Sequence, residues 1–390
     1  MANCLWKLKI VDSRKQIIGG DKMVSELRYY WAALANCPSI GNQSLQKLKK
    51  YFEDPRLIWQ LNTNDLAAAD LLSAKRAQTL TAFCKQNKDL AEKIFTTCQK
   101  LQIKVCSIDD SCYPKILQEI YNPPLILYYK GQLETEALRV AIVGSRRFTP
   151  YGEGLAGEFA SALAKAGITV VSGAARGIDT FAHRGALKAG RTVAVLGCGL
   201  DVSYPPENRQ LLAKIAASGG AIISEYGPGI KPLPAFFPAR NRIISGLSRG
   251  TLVVEAAKHS GSLITAEMAI NEGRDVFAIP GSIYAKSSQG CNHLIQQGAK
   301  LVQQPADIIE EYLLPAENNK EKTVPQVALS LEERALYQVL SYDHPLSIDE
   351  IMLSLADADV ANIAFLLLQM ELKGVVIENE MHAYRRAERV

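Results

Sequence analysis

Val140-Ala-Ile-Val-Gly-Ser-Arg-Arg147 and, one helix length further on, Ile168-Thr-Val-Val-Ser-Gly-Ala-Ala-Arg-Gly-Ile-Asp179 each set a short β-branched run directly against a glycine-containing turn. Thr192-Val-Ala-Val-Leu196, Ala221-Ile-Ile223, Thr251-Leu-Val-Val254 and Asp275-Val-Phe-Ala-Ile279 are further such runs, separated by amphipathic segments of helix length. Nearly continuous apolar strands alternating with helices read as a parallel sheet covered on both faces, a Rossmann-like α/β core. Ligands of such sheets sit in the crevice beyond the carboxyl ends of the strands, so the chemistry belongs in the turns that follow the runs.

Those turns are rich in glycine and arginine. Gly144, Ser145, Arg146 and Arg147 follow the first run, Ser172, Gly173, Arg176 and Gly177 follow the second, and Gly197-Cys-Gly199 follows the third. Glycine admits a phosphate to the backbone, a helix N-terminus offers N–H groups, and arginine pairs with phosphate through two donors. The alternative, tight strand-to-helix turns alone, explains one such loop more easily than three. Neither the Gly-x-Gly-x-x-Gly spacing nor a Gly-Lys-Ser/Thr follows the strands, so no nucleotide cofactor is expected. In Phe236-Phe-Pro-Ala-Arg-Asn-Arg-Ile-Ile244 two rings precede Arg240, Asn241 and Arg242 at the opening of a helix. A ring at Phe237 beside cations suits a single strand of nucleic acid, whose bases stack and whose backbone is anionic; the competing reading is a ring that plugs the core.

The 390 residues, 48% hydrophobic and 22% charged, suffice for two or three domains. Residues 1–22 carry no clear periodicity. Residues 23–105 are dominated by helix patterns, such as Leu45, Leu48, Tyr51 and Phe52, and form a small helical domain of SAM-like or helix-hairpin-helix-like type. Within it, Cys37-Pro-Ser-Ile-Gly41 reads either as half of a helix-hairpin-helix turn or as a plain turn using the tolerance of glycine for positive φ. The Rossmann-like domain takes residues 106–314, a polar linker residues 315–329, and a winged-helix-like domain residues 330–390. In that last unit helix patterns at Leu331 to Leu340, Ser347 to Leu353 and Val360 to Lys373 precede strands at Val375-Val-Ile377 and near His382 to Tyr384.

Charge is uneven along the chain. Residues 139–310 hold 18 Lys and Arg against 12 Asp and Glu, a net of +6, whereas residues 330–390 hold 5 against 11, a net of −6. The middle suits a polyanion, and the acidic tail favours a protein-contact or dimer role over DNA. No apolar run reaches the roughly 18 residues that cross a bilayer, and the N-terminus lacks the pattern of a signal peptide, which points to the cytoplasm and away from membranes. The eight cysteines contain no Cys-x-x-Cys pair and read as free, mostly core thiols in a reducing compartment, with no metal site.

Two enzyme readings compete. Asp179 and His183 stand four apart on one helical face with Ser172 nearby, which invites a hydrolase triad, but the serine is not in a Gly-x-Ser-x-Gly elbow and the pair reads as a structural cap. A nucleotide phosphoribohydrolase of the cytokinin-activating LOG-like group shares a related fold. Its Pro-Gly-Gly-x-Gly-Thr-x-x-Glu motif is absent, and Ser260-Gly-Ser-Leu-Ile-Thr-Ala-Glu267, with Glu255 upstream, stands in its place.

Taken in order, several motifs carry a resemblance. These are Tyr113-Pro-Lys-Ile-Leu117, Asn122-Pro-Pro-Leu-Ile-Leu-Tyr128, Gly144-Ser-Arg146, Ser172 to Asp179, Ala182-His183, Asp201-Val-Ser-Tyr-Pro205 and Arg240-Asn-Arg-Ile-Ile244. They continue through Val253-Val-Glu255, Ser260-Gly-Ser-Leu-Ile-Thr-Ala266, Gly273-Arg274, Pro280-Gly281 and Asn292-His-Leu-Ile-Gln-Gln-Gly-Ala299. The chain thereby resembles the DNA-processing protein A (DprA, also called Smf) family of bacterial transformation and recombination factors over nearly everything after about residue 25. The resemblance implies a non-catalytic homodimer without cofactors that binds single-stranded DNA in a basic pocket. It also implies assistance to loading of the recombinase RecA, with single-strand-binding protein as a further partner. It casts Gly144, Ser145 and Arg146 as a phosphate-contacting turn and Phe237 as a base-stacking ring ahead of Arg240 and Arg242. The loop from Ser172 to Asp179 becomes a second pocket loop that Asp179 orients.

Overall fold

The computed structural model describes residues 21–68, 70–312, 329–342, 344–355, 362–379 and 382–387. All six apolar runs are strands. With three others they form one nine-stranded sheet: β1 (Lys104–Ser107), β2 (Ile126–Gly131), β3 (Arg139–Val143), β4 (Thr169–Ser172), β5 (Thr192–Leu196), β6 (Ala221–Ser224), β7 (Gly250–Val253), β8 (Asp275–Ala278) and β9 (Lys300–Leu301). The spatial order is β1-β2-β6-β5-β4-β3-β7-β8-β9, parallel from β6 to β9, with β1 and β2 antiparallel at one edge.

Every residue of β3 is buried because both faces of the sheet are covered. Val140 and Ile142 pack with Phe159, Leu163, Ile178 and Ala182 from the helices Pro150–Lys165 and Ile178–Ala186. Ala141 and Val143 face the other way, toward Ile243, Ile244, Ala266 and Ala269 from the helices Phe236–Gly246 and Gly261–Asn271. The two-residue alternation of side chains thus divides one strand between two cores. From β3 the chain winds one way through β4, β5 and β6 and then the other way through β7, β8 and β9. The reversal leaves a crevice at the carboxyl ends of β3 and β7, which helices on neither side close.

The amino-terminal helices do not build a core of their own alone. Trp31, Leu45, Leu48 and Phe52 are buried in one cluster with Val105 of β1 and Leu125, Ile126 and Tyr128 at β2, so helical segment and sheet share apolar packing. Tyr51, expected on the same face, is 40% exposed. Gly41 caps the helix Asn42–Tyr51 at φ −79°, so tolerance of positive φ is not why glycine stands there. Cys106 and Cys112 are joined in a disulfide, which corrects the expectation of free thiols throughout; Cys37, Cys84, Cys98, Cys198 and Cys291 are free and buried, and Cys4 lies outside the described residues. A pair six apart escaped the sequence reading because the β1 turn, not the spacing, brings them together. Among the described residues no helix is long and apolar enough to cross a membrane.

The carboxy-terminal unit has helices Leu331–Val339, Ile348–Ser354 and Ile363–Leu372 and a three-stranded antiparallel sheet of β10 (Leu346–Ser347), β11 (Val376–Glu378) and β12 (Ala383–Arg386) in the order β10-β12-β11. Leu336, Ile351, Leu367 and Met370 form its core. Ser330 with Glu333 and Ser347 with Glu350 make capping boxes that satisfy the first N–H groups of two of its helices.

The helices Pro150–Lys165 and Ile178–Ala186 approach so closely that a Cβ at Gly185 would overlap the backbone of Gly157, whereas a Cβ at Gly157 would meet nothing within 4 Å. Gly185→Ala should therefore destabilise the fold by about 1–3 kcal/mol through overpacking. Gly157→Ala should stabilise it by roughly 0.5–1 kcal/mol through helix propensity. Thermal melts of the two variants should move in opposite directions; a shared direction would contradict the packing assigned to this helix pair.

Candidate nucleic-acid interface

A cleft of about 1050 Å³ opens at the crevice between the carboxyl ends of β3 and β7. Its walls come from the turn after β3 (residues 144–147), the residues after β7 (257–262), the helix Phe236–Gly246 and the loop after β8. Arg146, Arg147, Lys258 and Lys286 line it as exposed side chains, and among the described residues none of the four is in an ion pair. Asp179 is the one carboxylate among the lining residues, and it is buried. The cleft is therefore cationic, with four exposed cations against one buried carboxylate.

The glycines of the turns serve protein packing. Gly144 lies against the side chain of Ile178, and Gly177, at φ +80°, lies against the carbonyl of Ser145, so the turn after β3 is interlocked with the start of the helix Ile178–Ala186. Ser145 shapes its own turn: its Oγ accepts from the Arg147 N–H at 3.0 Å and donates to the Arg147 carbonyl at 2.5 Å. Two helix N-termini near the cleft already hold acid groups. The buried Glu255 carboxylate accepts from the Thr149 N–H at 2.9 Å and the Thr149 hydroxyl at 2.6 Å, and the Asp179 carboxylate accepts from the Ala175 N–H at 3.2 Å. The helix Gly261–Asn271 instead begins at Ser260, whose Oγ accepts from the Ser262 N–H, and has no acid in its first turn. Lys258, His259, Ser260 and Gly261 line the cleft at this end. Ser260 and Gly261 belong to a motif that the sequence offered both for the family resemblance and for a decayed enzyme site, whereas Lys258 and His259 carried no signal of their own.

Phe237 is half-buried on the cleft wall. Its ring lies under the Arg146 guanidinium at 5.5 Å and beside Tyr204 at 5.4 Å between centroids. Phe236 turns away and stacks on Tyr226 at 4.1 Å. Asn241, four residues after Phe237 and so on the same helical face, also lines the cleft.

Arg240 and Arg242, expected side by side, part company. Arg240 is 5% exposed; its Nη1 donates to the carbonyls of Gly173 and Val195, so it forms the floor of the cleft and holds strand ends. A Cβ on Gly173 would collide with this guanidinium, which is why glycine stands there. Arg242 does not reach the cleft. Two residues along the helix, it points the other way into a half-buried ion pair with Glu225 at 2.5 and 2.6 Å, which removes it from the expected set. Arg176 is paired with Glu207 at an exposed position and lines a small hollow beside the main cleft with Tyr204 and Phe237. Ser172 is fully buried beneath the cleft and donates to the Ile142 carbonyl at 2.7 Å.

The three residues of the hydrolase reading adjoin one another, the Asp179 carboxyl bonding the Ser172 side chain and His183 lying against the Ser172 backbone, but each is committed to the fold. His183 is fully buried with Nδ1 2.7 Å from Thr192 Oγ1, and that hydroxyl donates to the Val170 carbonyl, so Nδ1 carries the proton. Burial, with the positive charge of Arg240 adding to it, pulls the imidazole down to about 3. Burial pushes the Asp179 carboxyl up, opposed by Arg240 and the Ala175 N–H. The Ser172 hydroxyl donates to the Ile142 carbonyl and not to His183, and all three residues are buried.

A switch-point cleft that is open, cationic and faced with an aromatic ring under a guanidinium defines a Rossmann-like polyanion-binding protein. Residues 104–313 match the family model described as DNA recombination-mediator protein A. DNA processing protein DprA of Streptococcus pneumoniae is 51% identical over 208 residues, 53% of this chain and 73% of that protein. Protein Smf of a Synechocystis species is 33% identical over 401 residues, 93% of this chain and all of that protein. The X-ray structure of the Streptococcus pneumoniae DprA matches with a TM-score of 0.65 at 42% identity, covering 73% of this chain and 98% of that one. The chain belongs to the DNA-processing protein A (DprA/Smf) family.

The buried neutral imidazole makes stability depend on pH with a defined sign. His183 titrates near 6.5 when unfolded but near 3 when folded, so its contribution is whole above about pH 6.5 and is lost as pH falls toward 3. Between pH 7 and pH 5 this costs about 2 kcal/mol, at about 1.4 kcal/mol per unit below 6.5. Urea unfolding at the two pH values should show wild type losing about that much more than His183→Gln; parallel losses would mean the imidazole is not held neutral.

Proposed function

We propose that the cleft binds single-stranded DNA and that the chain works as a recombination mediator rather than as a catalyst. The observation that carries this reading is the unpaired Arg146 guanidinium lying over the accessible ring of Phe237 inside a cleft with three further unpaired cations. An exposed aromatic face takes a base only when that base is unpaired, and unpaired cations gain counterion-release energy from a phosphate chain. Family membership supports assistance to RecA loading, displacement of single-strand-binding protein and action as a cytoplasmic homodimer. Gly144, Ser145, Arg146, Arg147, Phe237 and Asn241 are the proposed DNA contacts from the sequence reading, with Lys258, Ser260 and Lys286 added from the cleft. Arg176 joins them only by exchanging Glu207 for a phosphate. Ser172, Gly173, Gly177 and Arg240 act beneath the contact surface, as its support.

The phosphoribohydrolase reading gains nothing from the geometry. Glu267, at the place of the motif's glutamate, does not line the cleft, and Glu255 upstream is spent on Thr149 at the start of the helix Pro150–Lys165. We read residues 23–105 as a SAM-like domain, residues 106–314 as the DNA-binding domain and residues 330–390 as a winged helix, since three helices and a three-stranded sheet recur there in that fold's order. Its net charge of −6 supports a protein contact over DNA.

Arg146→Ala should weaken binding to all single-stranded sequences alike and reduce the magnitude of the slope of log K against log salt by about 0.7, the loss of one phosphate contact. Phe237→Ala should cost about 1–3 kcal/mol and leave that slope nearly unchanged, because a neutral ring displaces no counterion. Binding titrations at several salt concentrations, with melting temperatures as a folding control, check both. Unaltered affinity in a folded Phe237→Ala protein would remove the ring from the site.

A further inference from the structure

Beyond Phe237 and Tyr204, a further ring stands two residues from the cleft-lining Lys286 with nothing in the fold to cover it. Tyr284 is 89% exposed and its neighbour Ile283 is 74% exposed, at the tip of the loop between β8 and the helix Gln289–Gln296. Among the described residues the Tyr284 hydroxyl has no hydrogen-bond partner. A ring left this bare loses the burial that justifies most aromatic residues, and in a mobile loop it would mean little.

This loop is tied down at both ends. The Gly281 N–H donates to Asn292 Oδ1 at 3.2 Å, and Asn292 Nδ2 returns a bond to the Gly281 carbonyl at 3.0 Å. At the other end the Ala256 N–H donates to the Ser287 carbonyl at 2.8 Å, and the Gly290 N–H donates to the Ala256 carbonyl at 2.7 Å. Ala256 leads directly into Ala257 and Lys258 on the cleft wall, so the loop is fastened to the same wall that carries the cations. Turn bonds from Ala285 N–H to the Ser282 carbonyl and from Ser288 N–H to the Ala285 carbonyl, both 3.1 Å, hold the tip itself. Two residues after Tyr284, Lys286 lines the cleft as one of its unpaired cations, and Ser287 and Gln289 line it too.

A fixed, uncovered ring is thus followed within two residues by a free ammonium that lines the cationic cleft, the same two kinds of group that Phe237 and Arg146 supply. We propose that Tyr284 is a second base-stacking platform and that Lys286 takes the adjoining phosphate, so that the loop after β8 extends the single-stranded DNA path out of the cleft by at least one nucleotide. Ile283 covers one edge of the stacked base. The inference rests on the single-strand reading of the cleft and adds to it a specific exit.

Ultraviolet crosslinking of the full chain to thymidine oligonucleotides carrying one photoreactive halogenated uracil, walked along the strand, tests the path directly. The account expects a crosslink to Tyr284 at one position and to Phe237 or Tyr204 at another. In parallel, Tyr284→Ala should weaken binding of a long oligothymidine roughly 5- to 100-fold with its salt slope unchanged, while Tyr284→Phe keeps the affinity. Lys286→Ala should weaken binding and reduce the slope magnitude by about 0.7. Because Tyr284 is exposed, these variants should melt like wild type. No Tyr284 crosslink together with full affinity in Tyr284→Ala, when Phe237→Ala does weaken binding, would overturn this inference and leave the cleft reading intact. A wild-type protein that fails to bind the oligonucleotide would overturn both.

Discussion

Under the cleft, the Arg240 guanidinium joins three elements that the chain order keeps far apart. Its Nη1 bonds the carbonyl of Gly173 just past β4 and that of Val195 in β5, while its own backbone belongs to the helix Phe236–Gly246. A buried cation is costly unless its donors are met, and here two carbonyls meet Nη1 while Nε has no partner among the described residues. The consequence is positional. With Arg240 fixed inward, Phe237 and Asn241 on the neighbouring turns face the cleft, whereas Arg242 is carried around to Glu225 on the other side. The missing Cβ of Gly173 is what lets the guanidinium in. Asp179 and His183 feel the same charge, and their shifted protonation follows from sharing that buried space.

Charge placement completes the site. Where the helices Pro150–Lys165 and Ile178–Ala186 begin, Glu255 and Asp179 occupy the positive ends, which keeps those termini from competing for the ligand. The groups of the cleft left without an acid partner are the side chains at the rim and the start of the helix Gly261–Asn271. With four exposed cations outside any ion pair, a polyanion bound along this rim would draw on released counterions more than on a rigid phosphate cradle.

Much of this was legible in the sequence. The six apolar runs are strands to within about one residue at each end, because a sheet covered on both faces demands unbroken apolar character that no helix of that length would show. Gly144 to Arg147 line the cleft where strand topology puts it, and Phe237 and Asn241, picked out as a ring and an amide beside cations, line it too. Antiparallel β1 and β2 and the two-residue β9 were missed: β1 and β9 are short edge strands, and β2, though internal, is fully buried only in its first half. The fate of Arg242 could not be read either, since two arginines two apart on a helix point about 200° from one another and only the packed fold says which faces in. Lys258 and Lys286 escaped for a related reason. Each is an ordinary surface lysine until two separate loops bring them to one wall.

Four unpaired cations on that wall, Arg146, Arg147, Lys258 and Lys286, set the size of the electrostatic term. Binding of an oligothymidine and of a duplex of equal length, titrated across salt concentrations, measures it together with the demand for an unpaired base. The account predicts tighter binding of the single strand by at least about tenfold and a slope of log K against log salt near −3, the value for four phosphate contacts. Equal affinity for the duplex, or a slope near zero, would contradict the assignment of the cleft to single-stranded DNA.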